Sequence, residues 1–508
     1  MFKTKNLYTL LLLIGSILVY ALSFPKFGLF PAAFFFLIPL LIILERHKKP
    51  KSFLLFFVFS FFSYLVILYW IPRVMVQYGG MGRILSVLGL LLLAVFLSLF
   101  TGLAGVLIKS CLKSGHFHSL LALIPLIWVA KDLVIERVLG GFPWCLAGYS
   151  QYSNRLFIQI AEWGGIHLVT FVLIYLNVLL YLLMRQRTKN LLVVILISFV
   201  AVYSVGFYLQ QANGADVGGQ KVHQAGIIQP NVDPEQYLNG PQKLNRLEGL
   251  LNESRLLRDR GAEFIVWPEY TLSIYPRQNR FYEQKLNAFA ADQAPLFAGF
   301  TDLYSHRQIY NSVMLFKGDS LEKYDKVHLT PFGEYVLFRE VLFFVRRIVD
   351  EIADFTPGRR IRNLTIDGHP VATPICYEII FPELVRDFIA GGGQLIVNVS
   401  NDAWFGNTSA PYQHLAMAVF RSVENRRYIL RSTTNGISAL ISPSGKVLYQ
   451  SPYGSKDQFI ASFRYVQTKT LFTRGGFLFP YFCALLVIIS FGRKLYLDFR
   501  RRPVSGGK

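Results

Sequence analysis

The chain has 508 residues, of which 53% are hydrophobic and only 16% charged, and its formal charge is +21. Soluble domains average about 25% charged residues, so a wholly soluble protein is excluded and a large membrane part is implied. No Gly-rich phosphate loop or RNA-binding signature accompanies the basic charge. We therefore assign it to membrane topology and lipid headgroups, with no nucleic-acid partner.

Taken in chain order, uninterrupted apolar stretches run over 7–24, 27–44, 52–71, 84–108, 163–184 and 191–209. Most reach the roughly 17–25 residues that a helix needs to cross a bilayer. Two weaker candidates are 118–136, which contains Lys131 and Asp132, and 475–491, which contains Pro480. The total is about eight spans. Lys3 and Lys5 precede the first stretch as they would in a signal peptide, but 20–26 offers no small-residue cleavage site, so a retained helix is expected. Basic residues alternate between the connections: Arg46, Lys48, Lys49 and Lys51, then Lys109 and Lys113, then Arg185, Arg187 and Lys189, then Arg493 to Arg502. The other connections hold only Lys26, Arg73, Arg83, Arg137 and Arg155. The positive-inside rule then places both termini in the cytoplasm.

From about residue 211 to 470 the long apolar runs stop, and the topology puts this block outside the cytoplasmic membrane. It is large enough for one substantial core. Strands are predicted at 225–229, 263–267, 296–300, 312–316, 371–377 and 394–399, with a hairpin over 437–442 and 446–450. Helices are predicted at 241–260, 382–390 and 412–431. Alternating strands and helices indicate an α/β layered domain. The expected organisation is residues 1–210 as seven membrane helices, 211–470 as the α/β domain, and 471–508 as a last span with a basic tail.

Cys376 is the only cysteine of that block; Cys111, Cys145 and Cys483 lie in or beside the apolar stretches. It has no disulfide partner there, and no Cys/His cluster has metal-ligand spacing, so no metal is expected. An isolated cysteine is ordinarily a small buried hydrophobe. Its position, between a strand and the helix from Pro382, would instead raise its sulfur at the carboxyl edge of a sheet, where open α/β folds place reactive groups. A nucleophilic thiol needs a base and a stabiliser for the oxyanion. Glu269 in IVWPEYTL and Lys326 in YDKVHLTPFGEY follow other strands. Either alone would be an ordinary surface charge; the three together suggest a cysteine-dependent enzyme.

The set WPEY, DKVHLTPFGE, PICYE and NDAWFG resembles the nitrilase (carbon–nitrogen hydrolase) superfamily, with its Glu–Lys–Cys triad and αββα sandwich. Taken whole, with GGFPWCLAGYSQ, RSTTNG and seven spans, an α/β domain and one more span, the chain resembles the apolipoprotein N-acyltransferase family, the membrane-embedded branch of that superfamily. The resemblance implies Glu269 as general base, Lys326 as cationic stabiliser and Cys376 as nucleophile. It implies supporting roles for Glu334, Tyr377, Glu378 and Trp404. The family often carries a tryptophan where this chain reads QPNVDPEQYLNG, and Tyr237 or Leu238 stands roughly there.

The implied reaction moves a fatty-acyl chain from a membrane phospholipid to Cys376, and from there to the amino group of a diacylglyceryl-cysteine on an apolipoprotein. Lys326 is expected to favour the thiolate. Aromatic segments at 69–71, 142–144 and 332–344 would form a lateral entrance. No cofactor is required, and a monomer is expected. The rivals are a membrane-tethered amidase using the same triad, whose chemistry would survive loss of the helices, and a transporter or sensor, in which Cys376 would be dispensable.

Overall fold

The computed structural model describes all residues except 1, 47–48, 78, 115–116, 219–220, 233–237, 306–307, 332, 336–354 and 501–508. Tyr237, most of the aromatic segment 332–344, and Arg501 and Arg502 thus lie outside the described residues. The N-terminal part is helical: α1 (Phe2–Leu22), α2 (Leu37–Arg46), α3 (Lys49–Ile67), α4 (Ile71–Gln77), α5 (Arg83–Ser114), α6 (Phe117–Arg137), α7 (Ala161–Gln186) and α8 (Lys189–Gly218). A short helix, Leu471–Arg474, and a long one, Phe479–Arg500, follow the α/β domain.

Among the described residues, four helices are long and apolar enough to cross a membrane, and α3 with α4 makes a fifth candidate bent by 50°. The second apolar stretch differs from expectation. It is a short 3-10 turn (Phe30–Phe34) followed by the ten-residue α2, about 15 Å long. Pro39 explains the break, because its ring cannot continue a helix back through Phe35. The freed polar groups find a partner on α7. Asn177 accepts from the Leu37 N–H at 3.1 Å and donates to the Ala33 carbonyl at 3.0 Å. The weaker stretch at 118–136 does form a full helix, with Lys131 paired to Asp132 and Glu136 to His167.

Side-chain contacts sort the helix ends. At one end Arg46 lies over Tyr8, Lys109 caps the carbonyls of Leu44 and Glu45, Arg185 and Tyr181 meet Glu45, and Lys494 reaches Ser110. At the other end, Arg137 pairs with Glu383, Glu162 with Arg426 and Tyr481 with Glu383, so that end carries the α/β domain.

The α/β domain has two six-stranded sheets, ordered β12-β1-β2-β3-β4-β5 and β11-β10-β9-β8-β7-β6. The first sheet comprises β1 (His223–Gln229), β2 (Phe264–Val266), β3 (Leu296–Ser305), β4 (Gln308–Phe316), β5 (Leu321–Asp325) and β12 (Asp457–Phe463). The second comprises β6 (Leu364–Ile366), β7 (His369–Ala372), β8 (Leu395–Ser400), β9 (Ile429–Thr433), β10 (Ala439–Ile441) and β11 (Val447–Gln450). Side chains alternate across a strand. Phe264, Val266, Phe297, Val313 and Leu315 therefore enter one core with the second sheet, whereas Ile265, Trp267, Leu296 and Met314 pack with leucines of helix Gly240–Asp259 in another.

Two predicted boundaries are corrected. The strand predicted to reach 377 ends at Ala372; only an isolated bridge, Ile375 to Val399, continues it, and Cys376 opens a 3-10 turn, Cys376–Ile380. The long helix over 412–431 is Ala410–Asn425 followed by β9. Its stop is Arg426, in the left-handed region at φ 51°, its guanidinium held by Glu162 and Gln159. Neither glycine nor proline marks that end.

Candidate active site

Glu269, Lys326 and Cys376 all follow strands, β2, β5 and β7, and all are buried, at 2%, 1% and 8% exposure. Burial puts each ionisable group at the mercy of its partners. Lys326 Nζ lies 2.8 Å from Glu334 Oε2 and 3.8 Å from Glu269 Oε1. Despite burial, which pulls an ammonium pKa down, these carboxylates hold Lys326 protonated, its pKa above the ordinary lysine value. Asn311, on β4, donates through Nδ2 to both Glu269 Oε1 and Glu334 Oε1, each at 2.7 Å. The second oxygen of Glu269 accepts from the Asn401 N–H at 2.9 Å. Burial raises the Glu269 carboxyl above its usual range, and the Lys326 cation opposes that rise.

Glu269 can sit so close to the first sheet because position 299 is a glycine. A Cβ there would come within 2.6 Å of the Glu269 Cα. Cys376 has φ 46°, a left-handed conformation that costs a non-glycine residue energy. The charges of Glu269, Lys326 and Asp402 all act on its thiol. Burial pushes the thiol pKa up, Glu269 adds to the rise, and Lys326 only partly offsets it. The expected thiolate is therefore not the resting form.

The supporting residues divide by role. Glu334 touches Lys326, and its Oε2 also accepts from the Thr330 N–H. Glu378 holds backbone on both sides of the site. It accepts from the Val327 and His328 N–H groups, the Tyr324 hydroxyl and the Ile375 N–H, all within 3.0 Å. It thus ties the segment after Lys326 to the turn carrying Cys376. Tyr377 is buried, its hydroxyl donating to the Gly141 carbonyl at 3.4 Å and its ring beside His328 and Phe381. Trp404 is half-buried in a 3-10 turn, Asp402–Phe405. Leu238 is buried.

Sequence reasoning missed the group behind the nucleophile. His414 Nε2 lies 3.2 Å from the Cys376 carbonyl, and its Nδ1 lies 3.0 Å from Arg431 Nη2. A carbonyl can only accept, so Nε2–H faces it, while Nδ1 lies between the Arg431 guanidinium and Asp402 Oδ1, the latter 3.1 Å away. Burial and Arg431 lower the His414 pKa, and Asp402 opposes them. Arg431 also donates to Asp402 Oδ2 at 2.7 Å, and Ser400 to Asp402 Oδ1 at 2.8 Å. Three neighbouring cations and donors hold the Asp402 carboxyl well below the carboxylate range. No group of three or more His, Cys, Asp or Glu suited to a metal is present among the described residues.

The arrangement can remove a proton from a buried thiol, stabilise an anion with an ammonium, and keep water scarce. Residues 16–179 match the apolipoprotein N-acyltransferase N-terminal domain, and residues 224–469 match the carbon–nitrogen hydrolase domain. The chain is similar to apolipoprotein N-acyltransferases of Geobacter metallireducens (31% identity, 96% of this chain and 96% of that one) and Vibrio cholerae (28%, 85% and 86%). It is also similar to that of Aquifex aeolicus (27%, 89% and 97%). Among solved structures it is similar to a Nesterenkonia amidase of the nitrilase superfamily, at 18% identity over 48% of this chain and 90% of that one, with a TM-score of 0.38. At 31% identity over nearly the full length of a relative, with both domains matched in order, the chain belongs to the apolipoprotein N-acyltransferase family.

Proposed function

We propose that this protein transfers a fatty-acyl chain from a membrane phospholipid to the N-terminal amino group of a diacylglyceryl-cysteine on an apolipoprotein, by way of a thioester on Cys376. The observation that carries this reading is a buried Glu–Lys–Cys cluster in an α/β domain seated on apolar helices, within a chain of this family. In the first half-reaction Glu269 takes the thiol proton as sulfur attacks the ester carbonyl. Lys326 stabilises the oxyanion. The C–O bond then breaks, and the lysophospholipid alkoxide leaves with the proton from Glu269. In the second half the acceptor amine attacks the thioester, Glu269 takes its proton, and the sulfur leaves and is reprotonated. Ping-pong kinetics follow.

Both substrates are lipid-anchored, which accounts for a catalytic domain built onto helices. We read the helical part as eight crossings, with 27–46 as one broken element, both termini in the cytoplasm and the catalytic domain outside. The seating of Arg46, Lys109, Arg185 and Lys494 at the helix ends remote from the catalytic domain supports this orientation. The working unit is a monomer, divided as 1–210, 211–470 and 471–508, although α8 runs on to Gly218.

The test is a transfer assay. Purified protein in mixed micelles with phospholipid and a synthetic diacylglyceryl lipopeptide is expected to yield lysophospholipid and an amide-linked third chain on the peptide. Hydrolysis of short amides with no lipopeptide acylation would favour the tethered amidase and overturn this reading.

A further inference from the structure

We infer that the membrane-embedded half is a working part of the nucleophile's site, setting the conformation of the turn that carries Cys376 through two positioning residues, Gln413 and Arg421. The inference rests on the function proposed above. The strained φ of Cys376 means the turn needs restraint from its surroundings. Two of its carbonyls are held by one helix, Ala410–Asn425: Cys376 O by His414, and Ile380 O by Arg421 Nη1 at 3.3 Å.

The membrane-embedded half grips the same helix. Gln413 Oε1 accepts from the Trp144 and Trp70 indoles at 2.7 and 3.1 Å. Gln413 Nε2 donates to the carbonyls of Pro25 and Ile67 and to Ser409 Oγ, each at 3.1 Å. Four of those five partners belong to the membrane-embedded half, and Gln413 is the immediate neighbour of His414. Arg421 makes the same link a little over two turns on, donating through Nη2 to the Tyr149 hydroxyl at 3.2 Å. Its ion-pair partner Glu424 accepts from the Ile166 N–H of α7. All four side chains are buried.

A buried amide saturated in this way cannot turn without orphaning buried donors and acceptors. Any shift of the helix against the membrane half therefore moves His414 and Arg421, and with them the two carbonyls. The Cys376 carbonyl and the Tyr377 N–H share one peptide plane, so this grip also fixes the direction of the amide beside the sulfur. Chemistry on Cys376 is thus inseparable from the helices, even for a substrate that never enters a membrane.

The test uses full-length protein in detergent and p-nitrophenyl butyrate, a water-soluble ester, with the pre-steady-state burst reporting acylation of Cys376. Gln413→Met keeps the volume and removes the hydrogen bonds. Trp144→Phe and Tyr149→Phe each delete one partner from the membrane side and decide the matter alone if Gln413→Met does not fold. For Gln413→Met the acylation rate constant is expected to fall about tenfold with half-saturation unchanged, because small displacements of reacting groups are costly. The two phenylalanine variants should fall severalfold. Adding His414→Asn to Gln413→Met should cost little more, as coupled residues do not add. Wild-type burst rates in folded variants, or a raised half-saturation with an unchanged rate, would overturn the inference. Absence of a burst in the wild type would instead strike the proposed function, and this inference with it.

Discussion

Glu269→Gln is expected to lower the rate of Cys376 acylation by about 10²–10⁴-fold, the usual contribution of a positioned general base. The size follows from the resting state of the thiol. Burial and the adjacent carboxylate hold Cys376 protonated, and the Lys326 cation does not reverse this. A thiol with so little thiolate must lose its proton during attack, and Glu269 is the carboxylate whose charge acts on it most strongly, ahead of Asp402. Glutamine preserves shape and can still accept from Asn311, but one of its two terminal atoms then meets a donor it cannot satisfy. The pH profile supplies a second readout. The protonated carboxyl is the inactive form, so the wild-type rate rises with pH through the Glu269 pKa. Burial lifts that pKa above the ordinary 4.5, placing the acidic limb above that of a free glutamate. Stopped-flow acylation should find this limb in the wild type and not in the variant. An unchanged limb would remove Glu269 from the role.

Lys326→Met should cost more than loss of an oxyanion donor alone, which is about 10²–10³-fold. Lys326 is the cation between Glu269 and Glu334, which also share the amide of Asn311. Without it two buried carboxylates face each other and cannot both remain ionised. The Glu269 pKa therefore rises further, and the base is lost at neutral pH along with the stabiliser. The expected signature is a rate at least about 10³-fold lower, with residual activity whose acidic limb moves to higher pH. Lys326→Arg should recover little, because a planar fork does not fit where a compact ammonium contacts two carboxylates. A mild loss with an unshifted limb would show that the ammonium does not set the charge state of Glu269.

The α/β layering and the candidates Glu269, Lys326 and Cys376, which the fold brings together, were legible because both leave marks in single segments. IVWPEY and PICYE each put a polar group just past a buried apolar run, and helix Pro382–Ala390 begins and ends on its own proline and glycines. What escaped depends on partners far along the chain. Asn311 reads as one polar residue in a β-strand, and only the fold reveals that it bridges Glu269 and Glu334. Asn177 lies in an apolar run with no outward sign that it repairs the break made by Pro39 on another element. QHLAMAVFRSVENRR reads as one long helix, since its end is imposed on Arg426 by Glu162 and Gln159 of the helical part. His414 and Gln413 look like polar residues of an exposed face, whereas the helix that carries them is buried between a sheet and the membrane half.

The measurement closest to the central claim is peptide mass spectrometry of the protein after incubation with phosphatidylethanolamine and phosphatidylglycerol vesicles, for the wild type and Cys376→Ala. The account predicts a fatty-acyl mass on the Cys376 peptide of the wild type alone, discharged by hydroxylamine or by a diacylated lipopeptide. An unmodified Cys376 alongside lipopeptide acylation that persists in Cys376→Ala would contradict it.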